Sequence, residues 1–256
     1  MELGLSGKTA VVTAASGGIG GAVVQTLIEE GARVLGADLA VSAELKDSGA
    51  LTVETDLTTE EGLEGLKSAV EAEFDGVDLL VNGVGGLSDH PLGKLDEIDD
   101  EVWRKAFELN FFAPMRTTRV LQDRLREAVV NVSTSVARWP NTGPSFYGAS
   151  KSALRNLSKG LADELGARGV RVNTVSPGLI RTPLWNEYGP RLRDSYGMDM
   201  DMEEFLDGLP LLAGVTAGRW GTPQEVANLI VFLGSPAAGY ITGQDYLIDG
   251  GAEKVV

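Results

Sequence analysis

Between residues 8 and 248 the chain alternates short, β-branched apolar runs with longer segments of helical period. The runs fall at 8–13, 32–38, 51–55, 77–82, 128–133, 170–175 and 245–248, and the helical segments at 20–30, 59–74, 101–126, 145–166 and 223–233. A strand that leaves through a helix returns to the same sheet in the same direction. This order therefore predicts an α/β fold, a doubly wound parallel β-sheet with helices on both faces. No internal repeat, low-complexity tract or linker divides the sequence, and one domain over residues 1–256 is expected. Only 183–218 breaks the rhythm. It carries Trp185, Tyr188, Phe205 and three of the chain's five methionines, Met198, Met200 and Met202. Long insertions of this kind often serve as active-site lids, and methionine-rich surfaces adapt to irregular apolar ligands. Packing of short helices on the body is the other reading of the same residues.

Composition narrows the chemistry. The chain has no cysteine, which excludes disulfides and thiol catalysis. Its single histidine, His90, excludes a multi-histidine zinc site and argues against a serine–histidine triad. His90 precedes Pro91 and reads as a loop residue; no metal site is expected. A net charge of −15 argues against nucleic-acid binding through a basic face. No apolar run approaches the ~20 residues of a membrane span. Residues 1–4 lack the basic start and apolar stretch of a signal peptide. A cytoplasmic protein is expected.

The first apolar run enters a glycine-rich turn, Thr13-Ala14-Ala15-Ser16-Gly17-Gly18-Ile19-Gly20, and then a helix with Val23, Val24, Leu27 and Ile28 on one stripe. Between strand and helix, such glycines let the backbone approach a pyrophosphate, which rests on the helix N-terminus. A dinucleotide is the expected ligand. The next strand ends in Asp38, 18 residues past Gly20. A carboxylate there accepts hydrogen bonds from adenosine ribose hydroxyls. It also repels a 2′-phosphate: at ~4 Å and an effective dielectric near ~20, one charge pair is worth about 4 kcal/mol. Gly17 brings no basic side chain to offset it, so NAD is expected over NADP. Capping the following turn is the alternative role for Asp38.

Tyr147 and Lys151 stand four residues apart in Tyr-Gly-Ala-Ser-Lys, on one face of a helix. A free phenol is a poor acid or base at neutral pH, and a neighbouring ammonium draws its pKa down toward the useful range. Such a pair can give a proton to a carbonyl oxygen or take one from an alcohol. A surface tyrosine beside a solvated lysine is the bland alternative, and the glycine turn argues against it.

Seven motifs, in order and in spacing, resemble those of the short-chain dehydrogenase/reductase family over nearly the whole chain. The turn at 13–20 resembles T-G-x-x-x-G-I-G, and Thr55-Asp56-Leu57 resembles an Asp-Leu that contacts adenine. Val81-Asn82-Gly83-Val84-Gly85 resembles N-N-A-G, and Asn110 stands at the family's catalytic asparagine. Tyr147 and Lys151 match Y-x-x-x-K. Ser176-Pro177-Gly178-Leu179-Ile180-Arg181-Thr182 resembles the P-G-x-I-x-T that contacts nicotinamide. Tyr240-Ile241-Thr242-Gly243-Gln244 with Asp249-Gly250-Gly251 resembles the closing segment.

The resemblance implies a Rossmann-like fold and an NAD(H)-dependent oxidoreductase that interconverts a secondary alcohol and a ketone, with Tyr147 as general acid/base. It implies cofactor contacts from Thr13, Ala15, Ser16, Gly18, Ile19, Gly20, Asp38, Leu39, Asp56, Leu57, Asn82, Gly83, Tyr147, Lys151, Pro177, Gly178, Ile180 and Thr182. Lys151 is expected to lower the Tyr147 pKa and to hold the nicotinamide ribose, and Asn110 to place a water between Lys151 and solvent. A homo-oligomer, dimer or tetramer, is expected, with Gly148, Ala149 and Ser152 offering small side chains to a partner helix.

Two positions depart from the pattern. Ala14 replaces a glycine, which is tolerable only at negative φ or with little strain. Gly83-Val84 replaces Asn-Ala and removes a side chain thought to tie neighbouring strands. The catalytic hydroxyl is open between two residues. Counting 13 back from Tyr147, or three on from Asn131, selects Thr134, whereas an S-x-A match selects Ser135. Trp139, Trp185 and the lid suggest a partly apolar substrate, with Arg138 and Arg181 near the expected mouth. Two alternatives stand beside this reading. One is a β-ketoacyl-type reductase using NADPH, against which the acidic balance argues mildly. The other is a non-catalytic NAD-binding sensor or structural protein, against which the presence of both Tyr147 and Lys151 argues.

Overall fold

The computed structural model describes residues 2–87, 95–139 and 143–254; His90 lies outside the described residues. Seven strands, β1 (Thr9–Thr13), β2 (Arg33–Asp38), β3 (Leu51–Glu54), β4 (Val77–Asn82), β5 (Leu125–Val132), β6 (Arg171–Pro177) and β7 (Asp245–Ile248), form one sheet. Their order is β3-β2-β1-β4-β5-β6-β7, and every pairing is parallel. The chain winds outward from β1 to β3 and then returns to β4 on the other side of β1. Such a sheet opens a crevice at the carboxyl ends of β1 and β4, where the winding reverses.

Successive strand residues face opposite sides, so the β-branched runs feed two cores. Val12, Val81 and Val130 face Val23, Val24 and Leu27 of helix α1 (Gly18–Glu29) together with Val226, Ile230 and Val231 of α9 (Pro223–Gly234). Their neighbours Val11, Leu80 and Val129 face the other side. There they meet Leu63, Leu66 and Val70 of α3 (Glu60–Glu73), Leu121 of α5 (Ala113–Leu121) and Leu165 of α6 (Ser145–Gly166). The predicted doubly wound α/β architecture is the observed one. A short helix α2 (Ala43–Asp47), started by the Ser42 hydroxyl, adds to it.

Two segments differ from expectation. The helix expected at 101–126 is α4 (Asp100–Phe107), a π-helical turn at Glu108–Phe112, and α5, and strand β5 already begins at Leu125. The irregular insertion is largely helical, with α7 (Leu184–Ser195) and α8 (Met202–Leu212). Pro190 and Pro210 sit inside these helices and mask their period. Phe205, Leu206 and Leu209 form a buried centre, against which Trp185, Met198, Met200, Met202 and Trp220 pack. The three methionines therefore fill a local core. Among the described residues no helix is long and apolar enough to cross a membrane.

Candidate active site

The glycine turn lies at the carboxyl end of β1, against the crevice. Helices α2, α3, α4, α8 and α9 each receive a side-chain cap and an acid in the first turn. Helix α1 has neither: Gly17 caps it with no side-chain bond, and no acid follows. Its first amides and positive dipole end suit a phosphate. Gly20 has no room for a side chain, because a Cβ would lie 2.0 Å from the Ala14 carbonyl oxygen. A Cβ on Gly18 would meet the Thr182 methyl at 2.8 Å, so the 178–182 loop closes directly over the turn. The cradle fits a dinucleotide pyrophosphate.

Ala14 takes φ +54°, the left-handed region, so of the two conditions for an alanine here negative φ is not the one met. Its carbonyl must accept from the Gly17 N–H at 3.1 Å to shape the turn, and the backbone bends accordingly. The neighbouring Thr13 and Ala15 side chains are buried. Asp38 accepts the Ser16 N–H at 2.8 Å on Oδ2 and the Leu39 N–H at 2.7 Å on Oδ1. Leu39 itself is 68 % exposed beside it, open to a flat apolar ligand. Asp56 accepts from the Thr58 N–H and hydroxyl, at 2.9 and 2.6 Å, in the turn before α3, which the Thr59 hydroxyl caps, while the Leu57 side chain is buried in the core.

The strand tie expected to be missing at Gly83 is made otherwise. The Thr13 hydroxyl accepts from the Gly83 and Val84 N–H groups at 3.0 and 3.3 Å. A Cβ on Gly83 would stand 2.4 Å from the Thr13 carbonyl oxygen, so glycine is required. Asn82 is buried and donates to Thr118 Oγ1 and Asn131 Oδ1, at 2.9 and 2.7 Å. Its side chain thus ties β4 to β5 and α5.

Strand β5 delivers Thr134 to the same crevice, and the first turns of α6 deliver Tyr147 and Lys151. The Thr134 hydroxyl lies within hydrogen-bonding reach of the Tyr147 phenol. Ser135 instead starts the 3-10 turn Ser135–Ala137, its carbonyl accepting from the Arg138 and Trp139 N–H groups. Lys151 is buried and donates from Nζ to the Val132 and Val84 carbonyls at 2.9 and 3.1 Å. Burial holds its ammonium down to about 7. Burial also raises the Tyr147 pKa, and the Thr134 bond only partly offsets it. Desolvation thus outweighs any lowering by Lys151, whose donors go to two carbonyls.

Asn110 is buried inside the π-helical turn, a device that often marks functional positions. Its Oδ1 accepts the Gly86 N–H at 2.9 Å, and its Nδ2 donates to the Gly86 and Ala106 carbonyls at 3.1 and 3.0 Å. Pro177 ends β6, and Gly178 and Ile180 follow, Ile180 buried. Trp185 donates to the Ile180 carbonyl at 2.9 Å and packs edge-on with Tyr188 and Trp220, so it belongs to the lid's own core. Tyr188 is buried in the lid, and burial pushes its phenol up to about 12. Arg138 is committed to ion pairs with Asp245 and Glu253, and Arg181 lies over the Trp220 ring. The backbone partners Val84, Val132 and Gly86 escaped sequence reasoning because a carbonyl or amide bears no residue signature.

A parallel sheet with its switch point under an uncapped glycine turn, and a tyrosine–lysine helix beside it, defines a nicotinamide-dependent oxidoreductase class. Comparison with known proteins agrees. The family model described as Enoyl-(Acyl carrier protein) reductase matches residues 13–253. The 3-oxoacyl-(acyl-carrier-protein) reductase of Vibrio cholerae serotype O1 is 35% identical over 259 residues, covering 97% of this chain and 98% of that protein. The cis-4-hydroxycyclohexanecarboxylate dehydrogenase of Sinomonas cyclohexanicum is 33% identical, covering 97% of each. The L-sorbose reductase of Gluconobacter frateurii, crystallised with NADPH and L-sorbose, matches with a TM-score of 0.90 at 32% identity over 100% of both chains. The chain belongs to the short-chain dehydrogenase/reductase family.

Proposed function

We propose that the protein is an NAD(H)-dependent dehydrogenase that interconverts a secondary alcohol and a ketone, with Tyr147 as general acid/base. The convergence of the Thr134 hydroxyl, the Tyr147 phenol and the buried Lys151 amine, bonded to the Val84 and Val132 carbonyls, carries this reading. Bound nicotinamide supplies or accepts the hydride; the other tasks fall to side chains. The Thr134 hydroxyl, preferred over Ser135 for its bond to Tyr147, donates to the substrate oxygen. Tyr147 gives that oxygen its proton in reduction and takes it back in oxidation. Because burial favours the neutral phenol, the resting form is the acid that ketone reduction needs. Lys151 keeps two donors on Val84 and Val132; when protonated it has a third for the ribose, and its charge favours the phenolate. Asn110 fixes the Gly86 backbone beside it.

Asp38 supports NAD. Each carboxylate oxygen takes one backbone N–H and retains a lone pair for a ribose hydroxyl, while the charge stays set against a 2′-phosphate. Trp139 and Tyr188 would line the site for a partly apolar substrate. A cytoplasmic homo-oligomer, dimer or tetramer, belongs to the same proposal.

Titration with NADH and with NADPH, followed by nicotinamide fluorescence, should give the tighter binding with NADH. A panel of secondary alcohols with NAD should then reveal turnover that Tyr147→Phe removes while NADH binding persists. Equal or tighter NADPH binding would overturn the cofactor assignment. A β-ketoacyl-type reductase using NADPH is the second reading, favoured by the 35% identity to the Vibrio cholerae enzyme. Turnover of a 3-oxoacyl thioester on an acyl carrier protein, with NADPH, would select it.

A further inference from the structure

The chain's closing residues touch all three segments that frame the proposed site. Lys254 donates from Nζ to the Gly214 carbonyl at 3.0 Å and to Thr216 Oγ1 at 2.6 Å, at the end of the lid. The Ala217 N–H donates to the Gly250 carbonyl at 2.9 Å in the same place. Asp249 packs on the 178–182 loop: a Cβ on Gly178 would stand 2.6 Å from the Asp249 Cβ. The third contact reaches the turn that carries Thr134.

Arg138 closes that turn, its N–H donating to the Ser135 carbonyl at 2.9 Å. Its Nε lies 3.5 Å from Glu253 Oε2, and its Nη1 3.9 Å from Asp245 Oδ2. Arg155 of α6 completes the group, with Nε 2.6 Å from Asp245 Oδ2 and Nη1 donating to the Ala137 carbonyl at 3.0 Å. The Glu253 side chain is only 3% exposed. Its backbone N–H is fixed by Asp249 Oδ2 at 2.7 Å, so the carboxylate is aimed by the tail itself. Two guanidinium groups thus face two carboxylates, and the nearer partner of Arg138 is Glu253. A buried carboxylate is tolerable only when paired, so the contact binds both sides. Glu253 Oε2, Arg155 Nε and Asp245 Oδ2 are buried without a hydrogen bond of good geometry, so charge holds the group together.

We propose that Glu253 is a positioning residue that holds, through Arg138, the turn presenting Thr134 to Tyr147. The inference rests on the role given above to Thr134 and Tyr147. Glu253 acts through Arg138 on the hydroxyl's angle, while Asp249 and Lys254 fix the cofactor loop and the lid end.

Glu253→Gln keeps shape and removes the charge. Hydrogen–deuterium exchange of the full chain should then be faster at the 136–139 amides and unchanged in α1. Arg138→Gln should do the same, and the double variant should add little, because the two act as one unit. With a working substrate, kcat should fall roughly tenfold in each single variant, with KM for NADH unchanged. Glu253→Asp, which keeps the charge, should recover part of the loss. Unchanged exchange at 136–139, an equal rise in α1, or a wild-type kcat despite a loosened turn would each overturn the proposal. Absence of Tyr147-dependent turnover in the wild type would remove the enzymatic reading instead, and the exchange comparison would still decide whether Glu253 holds the turn.

Discussion

A Cβ on Gly85 would stand 2.3 Å from Lys151 Nζ and 2.8 Å from Asn110 Oδ1. The backbone at Gly85 thus forms the floor on which the lysine and the asparagine meet. Lys151 cannot give way freely, because its amine is buried and bonded to the Val84 and Val132 carbonyls. Gly85→Ala should therefore displace the lysine and lower kcat by ~100-fold, the scale of an ångström's misplacement. Steady-state kinetics checks this, with a circular dichroism spectrum matching wild type to show that the fold survives.

The two candidate hydroxyls make opposite predictions. Thr134→Val keeps the shape and removes the bond to Tyr147, so kcat should drop by roughly 10²–10³, the range for a lost donor at a reacting oxygen. Because that bond draws the phenol downward, its loss should also move the alkaline rise of alcohol oxidation to higher pH. Ser135→Ala should leave both readouts near wild type. Rate profiles against pH for the two variants settle the choice, and the reverse pattern would assign the hydroxyl to Ser135.

How much of this was legible in the residues depended on what each feature is made of. Strands β4 and β7 and helix α6 fall at the boundaries read from the sequence, since apolar runs and turn residues mark their ends. The π-helical turn around Asn110 was not legible: one extra residue in a turn barely disturbs hydrophobic period, so 101–126 read as one helix. The lid helices were hidden by Pro190 and Pro210. The residue types of the site, Tyr147, Lys151, Asn110 and Asp38, could be named in advance. The raised phenol and the doubly bonded amine could not, because they depend on burial and on backbone carbonyls 19 and 67 residues away in sequence. Glu253 carried no signal either, since its partner Arg138 is met only through the fold.

Ala14 at φ +54° offers a direct test of stored strain. A non-glycine residue in the left-handed region costs roughly 1–2 kcal/mol. Glycine relieves that strain, and its greater freedom in the unfolded chain takes back about 0.5–1 kcal/mol. Ala14→Gly should thus stabilise the protein by about 0.5–1 kcal/mol, raising Tm by a few degrees at most. Thermal denaturation measures it. A lower Tm would mean that neighbouring contacts, rather than φ, decide the preference at this position.

Lys151 gives the fold a pH dependence of definite sign. Its amine titrates at about 7 in the folded chain against an ordinary 10.5. Between those values the unfolded chain holds the proton and the folded chain does not. Stability from this group therefore rises with pH across that window, by up to about 1.4 kcal/mol per pH unit. Below it, both states are protonated and the burial penalty is complete; above it, neither is, and the penalty is gone. Lys151→Met removes the titration while leaving every other group in place. The wild type should accordingly gain stability on the variant as pH climbs from neutral into the alkaline range. Urea denaturation of both proteins at several pH values reads the difference directly. A difference that stays flat would mean that the buried amine keeps its proton in the fold, and that the charge needed to favour the Tyr147 phenolate is always present.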